Sequence, residues 1–339
     1  MSAAAQLEAA VPPPAPSFRR HVLRAAMAAA LFIAAGVAVP WLVGSVLFMT
    51  LLAQAAISAI MAMGVGTLLR LNGVVSFGHA AFFGLAAYII GLTLKQGWAG
   101  AEVAILLALA VPTLLAFLLG LGIVDIPGIA FSMLTLAVGQ ALNQFALKAR
   151  DVSGGEDGFA INLPAQVFGF QTSALQRPQV MFILCWVALV LIVLGLSVLT
   201  RSRFGRLVEA IRENEERARF IGFRTKVPRA LVLALSGFIA AVGGVFFALY
   251  NAFVSPDVLH WSLSGSALIM VIIGGPKLVW GPAFGAILYF FFKDIVGDLT
   301  EHWQAMVGLT LIAVTVALPH GIGGALERRF ALWRGRGAA

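Results

Sequence analysis

Charged residues are scarce in this sequence. Asp, Glu, Lys and Arg together make up 11% of the 339 residues, whereas hydrophobic residues make up 60%. Soluble domains carry about 25% charged residues, so this composition excludes an ordinary soluble domain and indicates a membrane protein. The net charge of +8 does not indicate a nucleic-acid partner. The basic residues cluster at the ends of apolar runs and form no basic face interleaved with aromatic residues.

Residues that build catalytic and metal centres are equally sparse. The single cysteine, Cys185, lies in an apolar run, which excludes a disulfide framework. None of the five lysines follows a glycine, so the sequence contains no Walker A loop for a nucleotide. The five histidines show no metal-ligand spacing: His21, His79, His260, His302 and His320. We therefore predict no catalytic residue, no metal site and no cofactor bound by this chain.

Ionisable side chains are nearly absent from the middle of the apolar runs. Ion-coupled carriers need an ionisable relay inside the membrane, so their absence argues against secondary transport. On residues alone, an ion-coupled carrier, a channel and an intramembrane enzyme stay open as alternatives. Hydroxyls and amides do occur in these runs, and they suit a neutral or zwitterionic solute with an apolar side chain: Gln54, Ser58, Asn72, Ser76, Gln140, Asn143, Gln144 and Asn251. Satisfied hydrogen bonds between helices would give the same pattern in the sequence.

Ten apolar runs approach the ~20 residues needed to cross about 30 Å of hydrocarbon. They predict an all-α, polytopic integral membrane protein with about ten transmembrane helices. The eighth and ninth runs, at 263–276 and 279–294, are short enough to be broken or re-entrant. Small residues four apart predict close helix packing, as at Ala80 and Gly84, Ala87 and Gly91, Ala240 and Gly244, and Gly281 and Gly285. The predicted spans are 25–43, 46–68, 74–94, 103–124, 127–147, 180–200, 229–250, 263–276, 279–294 and 304–319.

The basic residues orient this topology. With both termini inside, 18 of the 23 Lys and Arg fall on cytoplasmic segments, as the positive-inside rule expects. The domain prediction is a disordered cytoplasmic tail at 1–20, a membrane domain at 21–326 and a basic cytoplasmic tail at 327–339. Within the membrane domain, 201–229 is a cytoplasmic loop and 148–178 an extracytoplasmic one. The latter is acidic near Glu156 and Asp157, which suits docking of a soluble partner, although a plain connecting loop fits equally.

The 201–229 loop is the one long, strongly charged interval, with nine basic and four acidic residues. Uncharged residues at Leu207, Ile211, Ala218 and Gly222 predict a short amphipathic helix with one narrow uncharged stripe, and Gly222 is its expected stop. Two acid-before-base pairs four residues apart support the helix: Glu213 with Arg217, and Glu215 with Arg219.

Four segments resemble the permeases of branched-chain (hydrophobic) amino acid ABC importers of the LivM type. They are NGVVSFGHAAFFGLAAYI (72–89); FSMLTLAVGQ (131–140) with SGGEDGF (153–159); GRLVEAIRENEERARFIGF (205–223); and FVSPDVLHWSLSGSALIMVIIGG (253–275) with WGPAFGAIL (280–288). Together with LPHGIGG (318–324), the resemblance spans about residues 46–326. It implies the ABC importer permease fold and a transport subunit without its own ATPase site.

The resemblance also implies roles for named residues. The 205–223 segment is similar to the loop through which such permeases dock onto their ATPases, with its uncharged stripe seated in a cleft on the ATPase. The implied coupling residues are Gly205, Arg206, Glu209, Ala210, Ile211, Arg212, Glu213, Asn214, Glu215, Ala218 and Gly222. The predicted translocation path comprises Ser76, Gly78, His79, Phe82, Gln140 and Asn143, although helix packing explains the first four of these residues equally well.

The implied partners are a second, related permease, two cytoplasmic ATPases that bind ATP and Mg²⁺, a periplasmic solute-binding protein and the bilayer of a bacterial inner membrane. Two departures from the family pattern leave the solute open. GGPKLVWGP (274–282) places Pro276 and Lys277 where small residues are common, and His320 replaces a basic residue. Similar permeases import urea, short amides or aromatic acids.

Overall fold

The structure is a computed structural model that describes residues 18–126, 128–300, 302–318 and 320–336. Most of this chain is helical. The helices are α1 Phe18–Leu42, α2 Val46–Asn72, α3 His79–Lys95, α4 Ala101–Ile123, α5 Gly128–Lys148, α6 Arg150–Ser153, α7 Thr172–Leu175, α8 Pro178–Arg201, α9 Arg203–Glu213, α10 Glu215–Phe220, α11 Lys226–Asn251, α12 Trp261–Gly274, α13 Gly281–Leu299, α14 Trp303–Ala317 and α15 Gly321–Arg336. The strands are β1 Phe159–Ala160, β2 Gln166–Val167, β3 Phe170–Gln171 and β4 Phe253–Val254.

The all-α, polytopic prediction is confirmed. Ten of the described helices lie where the ten spans are predicted, and seven helices are long and apolar enough to cross a membrane by length and composition. The count of ten spans and the sides of the two termini stay predictions. Most of the predicted 1–20 tail lies outside the described residues, but α1 already begins at Phe18. The predicted basic tail is helical as far as Arg336.

The centre of the bundle is formed by α2 and α11. α11 packs along α2, α3 and α4, while α2 also packs against α8 and α13. α2 is buried around its whole circumference over most of its length. A helix that is apolar on every face belongs in the interior of a bundle, and the sequence of α2 has that composition. α1 lies at the periphery against α8.

Glycines allow the central helices to approach closely. A Cβ atom at Gly244 in α11 would overlap the carbonyl oxygen of Phe83 in α3, and one at Gly64 in α2 would lie 2.9 Å from the carbonyl oxygen of Ser236. A Cβ at Gly285 in α13 would likewise overlap the backbone of α12. The predicted close packing at Gly244 and Gly285 is therefore confirmed, since no larger residue fits without moving a helix.

One predicted span is partly wrong. Residues 73–78 are not helical, and α3 begins only at His79. The hydroxyl of Ser132 in α5 donates to the carbonyl oxygen of Val75 at 2.7 Å, and the hydroxyl of Thr135 accepts from the amide of Phe77 at 3.3 Å. Irregular backbone is tolerated at membrane depth when neighbouring protein groups satisfy it, and α5 supplies those groups here.

The 148–178 loop is folded rather than a plain connection. It contains two short helices, a 3-10 turn at Gly155–Asp157 and three short strands. β1 pairs antiparallel with β4, with Phe159 opposite Val254, and β2 pairs with β3 in a hairpin. The first pairing joins the loop to the segment that follows α11. That segment continues into a 3-10 turn, Pro256–Leu259.

Candidate functional site

The predicted coupling helix is two helices, α9 and α10, which we call the elbow. Ser202 caps α9, because its hydroxyl accepts from the amide of Gly205 at 3.1 Å. A Cβ at Gly205 would overlap the carbonyl oxygen of Leu199, so glycine is needed where α9 folds back on α8. At Asn214 the backbone is extended, and its side-chain oxygen accepts from the amide of Arg217 at 2.8 Å. This second cap breaks the predicted helix.

The break corrects one predicted ion pair and confirms the other. Glu213 and Arg217 lie in different helices and form no ion pair among the described residues. Glu215 and Arg219 both lie in α10, and their side chains are 2.6 Å apart. The i, i+4 spacing brings side chains together only within one continuous helix.

The inner face of the elbow packs on the chain's own membrane helices. Val208 and Ile211 are buried, with Gly205 and Ala218 beside them. Val208 belongs to an apolar cluster that includes Leu68 and Leu71 of α2 and Val232 of α11. Two of the four residues of the predicted uncharged stripe, Ile211 and Ala218, therefore face the chain itself, whereas Gly222 is exposed. Burial of Val208 and Ile211 fixes the elbow onto the ends of α2 and α11, because these apolar side chains are removed from water.

The outer tip of the elbow is apolar and exposed. Gly222 has φ +95°. The amide of Phe223 donates to the carbonyl oxygen of Ala218, and the amide of Gly222 donates to the carbonyl oxygen of Arg219. This is a Schellman motif, so the predicted stop at Gly222 is confirmed. The turn leaves Phe220 90% exposed, Ile221 69% and Phe223 50%. We call these three residues the apolar tip; the run FIGF was the sequence signal for it.

A cluster of polar contacts around Glu215 ties the elbow to α11. One carboxylate oxygen of Glu215 accepts from Arg219 at 2.6 Å and from Thr225 at 2.8 Å, and the other accepts from Arg229 of α11 at 2.7 Å. The side chain of Arg229 is only 10% exposed, so Glu215 supplies the counter-charge that a mostly buried guanidinium requires. Asn72 at the end of α2 donates to the carbonyl of Arg229 at 3.0 Å.

A second set of contacts links the elbow to the α12–α13 loop. Arg212 donates to the carbonyl oxygen of Arg70 at 2.6 Å, and the side chain of Arg70 donates to the carbonyl oxygen of Lys277 at 2.7 Å. The elbow, α2 and the α12–α13 loop are therefore joined by consecutive hydrogen bonds. The remaining predicted coupling residues lie exposed on the elbow: Arg206, Glu209, Ala210 and Glu213.

The opposite end of the bundle holds a cavity of about 350 Å³. Gln54 and Ser58 of α2, Asn251 of α11 and Asp257 of the following 3-10 turn line it. The rest of its wall is mostly apolar: Ile57, Met61, Phe83, Phe247, Val258, Leu263, Ala267, Met270 and Phe290. The volume falls in the range of small-molecule sites, and an apolar wall with a few polar groups is typical of them.

The six predicted path residues do not line this cavity. His79 is fully buried, and its Nε2 lies 2.5 Å from the hydroxyl of Ser236, which donates to the carbonyl of Gly64. Asn143 donates to the carbonyl of Pro256 at 2.8 Å and so holds the turn that carries Asp257. Ser76, Gly78 and Phe82 are also buried, and Gln140 is half-buried. Their assignment to the path stays a prediction.

The described part of the chain holds no group of three or more His, Cys, Asp or Glu side chains placed to bind a metal ion. Cys185 is free and buried in α8. In the 148–178 loop, Glu156 and Asp157 are exposed on the 3-10 turn.

Comparison with known proteins extends these observations. A family model described as the permease component of branched-chain amino acid transport systems matches residues 47–315. The high-affinity branched-chain amino acid transport system permease protein LivM of Escherichia coli K12 is 25% identical over 284 residues, which cover 78% of this chain and 67% of that protein. LivM of Salmonella typhimurium is 27% identical over the same length. The autoinducer 2 import system permease protein LsrC of Escherichia coli K12 DH10B is 25% identical over 276 residues, 78% of this chain and 76% of that protein. No solved structure matches this chain.

Proposed function

Because this chain belongs to the family of branched-chain amino acid transport system permease components, we propose that it is the permease subunit of an ATP-driven importer whose solute is a branched-chain or other hydrophobic amino acid. Members of this family are transport components rather than enzymes. The chain is a multi-pass protein of the inner membrane. The observation that carries the proposal is the elbow, which is held on the membrane helices by its inner face and exposes an apolar tip outward.

The elbow suits transmission of a conformational change from an ATPase. A partner that binds the apolar tip can displace α9 and α10. The hydrogen bonds of Glu215 and Arg212 then transmit that displacement to α11, α2 and the α12–α13 loop. Two cytoplasmic ATPases that bind ATP and Mg²⁺ would supply the movement, and a second related permease would complete the path. Rigid-body movement of packed helices then exposes the solute site to one side at a time.

The cavity suits a zwitterion with an apolar side chain. The carboxylate of Asp257 can accept hydrogen bonds from an ammonium group, and the amides of Gln54 and Asn251 can donate to a carboxylate. The apolar wall would receive the side chain of the solute. Delivery from outside also fits, because β1 of the 148–178 loop pairs with β4, directly before the turn that holds Asp257. A periplasmic binding protein docked on Glu156 and Asp157 would release solute beside the cavity.

The test is uptake of labelled leucine into vesicles that contain this chain with its ATPases, companion permease and binding protein. We expect uptake that requires both ATP and the binding protein. Uptake driven by an ion gradient without the ATPases would contradict the proposal and favour an ion-coupled carrier.

The comparable identity to LsrC favours a second candidate, a polar solute such as autoinducer 2. Urea, short amides and aromatic acids are tested in the same vesicles. If only one of them stimulates ATP hydrolysis, that compound would replace the amino acid as the proposed solute.

Replacing Asp257 with asparagine is expected to raise the KM for leucine roughly tenfold, because a hydrogen bond to a charged group contributes about 1.5–3 kcal/mol. Asp257 is exposed at the cavity, and asparagine keeps an acceptor for the hydroxyl of Ser255, so the fold should be unaffected. Asp298→Asn, which removes an exposed carboxylate from α13 outside the cavity, is the control. Equal KM values for both variants would exclude Asp257 from solute binding.

A further inference from the structure

A basic cleft of about 410 Å³ lies between the elbow and the membrane helices. Four of its lining residues are cationic and one is acidic. The cations come from four different segments: Arg70 from the end of α2, Arg201 from the end of α8, Arg212 from α9 and Lys277 from the α12–α13 loop. The acidic residue is Glu209. The cleft is separate from the cavity described above, and the coupling function does not account for its charge.

The cations of this cleft lack the partners that neighbouring cations have. Arg219, Lys226 and Arg229 each form an ion pair with Asp125 or Glu215. Within the described residues, none of the four cleft cations forms an ion pair with a carboxylate. The guanidinium groups of Arg70 and Arg212 donate to carbonyl oxygens, which leaves further N–H groups on each free to donate.

Like charges gathered in one cleft repel each other, and a bound anion would offset that repulsion. A phosphate group suits the site best, because guanidinium groups bind its oxygens through paired hydrogen bonds and lysine contributes a point charge. Several cations converging from different directions match the several oxygens of one phosphate.

An apolar crevice leads away from the cleft. It shares Arg70, Leu71 and Thr200 with the cleft and continues between α2, α8 and α13 past Met63, Leu196 and Pro282. The cleft itself lies where α2 and α8 end, which is the level expected for lipid headgroups. The crevice has a volume of only about 10 Å³, which is too small for an acyl chain. The level of the cleft at the ends of α2 and α8 is therefore what points to a phospholipid headgroup, whose acyl chains would lie outside the crevice.

We infer that this cleft binds a phosphate-bearing anion, and that the headgroup of an anionic phospholipid in the cytoplasmic leaflet supplies it. The bound phosphate would bridge the elbow, the end of α2 and the α12–α13 loop. An anionic lipid would therefore hold the elbow in place on the membrane helices, and the ATPases would act on an elbow that the lipid has ordered.

The inference is tested by retention of lipid on the purified full chain, without ATPase or solute, so that its outcome is independent of the proposed transport function. The probes are phosphatidylglycerol, phosphatidylcholine and inorganic phosphate. The double variant Arg201→Gln with Lys277→Gln removes two cleft cations whose side chains donate no hydrogen bond among the described residues. The control, Arg203→Gln with Arg224→Gln, removes two exposed cations outside the cleft.

We expect the wild type and the control to retain phosphatidylglycerol over phosphatidylcholine, and the double variant to lose about tenfold or more of that preference. Each basic group near an anionic lipid contributes roughly a fivefold effect, which sets this magnitude. Charge-conserving exchange, Arg201→Lys with Lys277→Arg, should keep the preference and so separates charge from folding. Displacement of phosphatidylglycerol by inorganic phosphate would show that the phosphate group is what binds, whereas binding of inorganic phosphate without preferential retention of phosphatidylglycerol would overturn the lipid as its source. Equal retention by wild type and double variant, or equal loss in the control, would overturn the inference.

Discussion

Replacement of Phe220 by aspartate is expected to detach the ATPase subunits from this permease and to abolish ATP-driven uptake. Phe220 is 90% exposed at the end of α10, so the substitution removes no packing inside the chain. Exposed aromatic side chains at the centre of an interface commonly contribute 2 kcal/mol or more, which corresponds to roughly thirtyfold or greater loss of affinity. Aspartate would also place a carboxylate in an apolar contact without a partner, which adds a desolvation cost.

The measurement is the affinity of purified ATPase for the permease reconstituted in lipid nanodiscs. Phe170→Asp serves as a control, since Phe170 is 64% exposed on β3 in the loop at the other end of the bundle. The control should bind ATPase like the wild type. Normal ATPase affinity in the Phe220 variant would show that the apolar tip is not the docking surface, and the exposed charged face of α9 would then be the next surface to vary.

The sequence predicted the membrane helices closely because each span needs a long apolar run, and several of these helices end near a polar or glycine residue. α2 illustrates this: Gly73 follows it in the left-handed conformation, and Arg70 lies in its last turn. The non-helical stretch at 73–78 was not predicted, because its backbone is satisfied by Ser132 and Thr135, more than fifty residues away. Such partners cannot be recognised from local sequence.

The elbow was predicted in part. The stop at Gly222 follows from the residue type, whereas the break at Asn214 was missed because the apolar spacing continues across it. A signal was present, since asparagine followed by two acidic residues, Glu215 and Glu216, is typical of a helix N-terminus. The burial of Ile211 and Ala218 on the chain itself could not be predicted, because amphipathic spacing does not say which surface covers the apolar face.

The polar residues of the spans show why a path is hard to predict from sequence. Gln54, Ser58 and Asn251 line the cavity, whereas Asn72 and Asn143 donate to carbonyl oxygens of other segments. Both kinds have the same residue types in the same apolar setting. What separates them is whether a neighbouring helix offers a partner, which depends on the packing of α2, α5 and α11.

Replacing Glu215 with alanine is expected to uncouple ATP hydrolysis from uptake. The carboxylate joins Arg219, Thr225 and Arg229, and without it the guanidinium of Arg229, whose side chain is 10% exposed, has no counter-charge among its described neighbours. Removing one partner of a fully buried pair costs about 3–5 kcal/mol. Glu215 is 28% exposed, so solvent screening reduces the expected cost to roughly 2 kcal/mol. The lost stabilisation is that of the contact between the elbow and α11.

The elbow should therefore loosen while the apolar tip still binds ATPase. We expect faster amide hydrogen exchange across α10, ATP hydrolysis close to the wild-type rate and uptake reduced by more than tenfold. Glu216→Ala is the matched control, because Glu216 is the adjacent acid, is exposed and forms no ion pair within the described residues. Adding Arg229→Met to the Glu215 variant removes the unpaired charge and should restore part of the exchange protection. If Glu215→Ala and Glu216→Ala transport equally well, movement of the tip reaches α11 by another route, and the hydrogen bonds from Arg212 to Arg70 and from Arg70 to Lys277 provide the alternative.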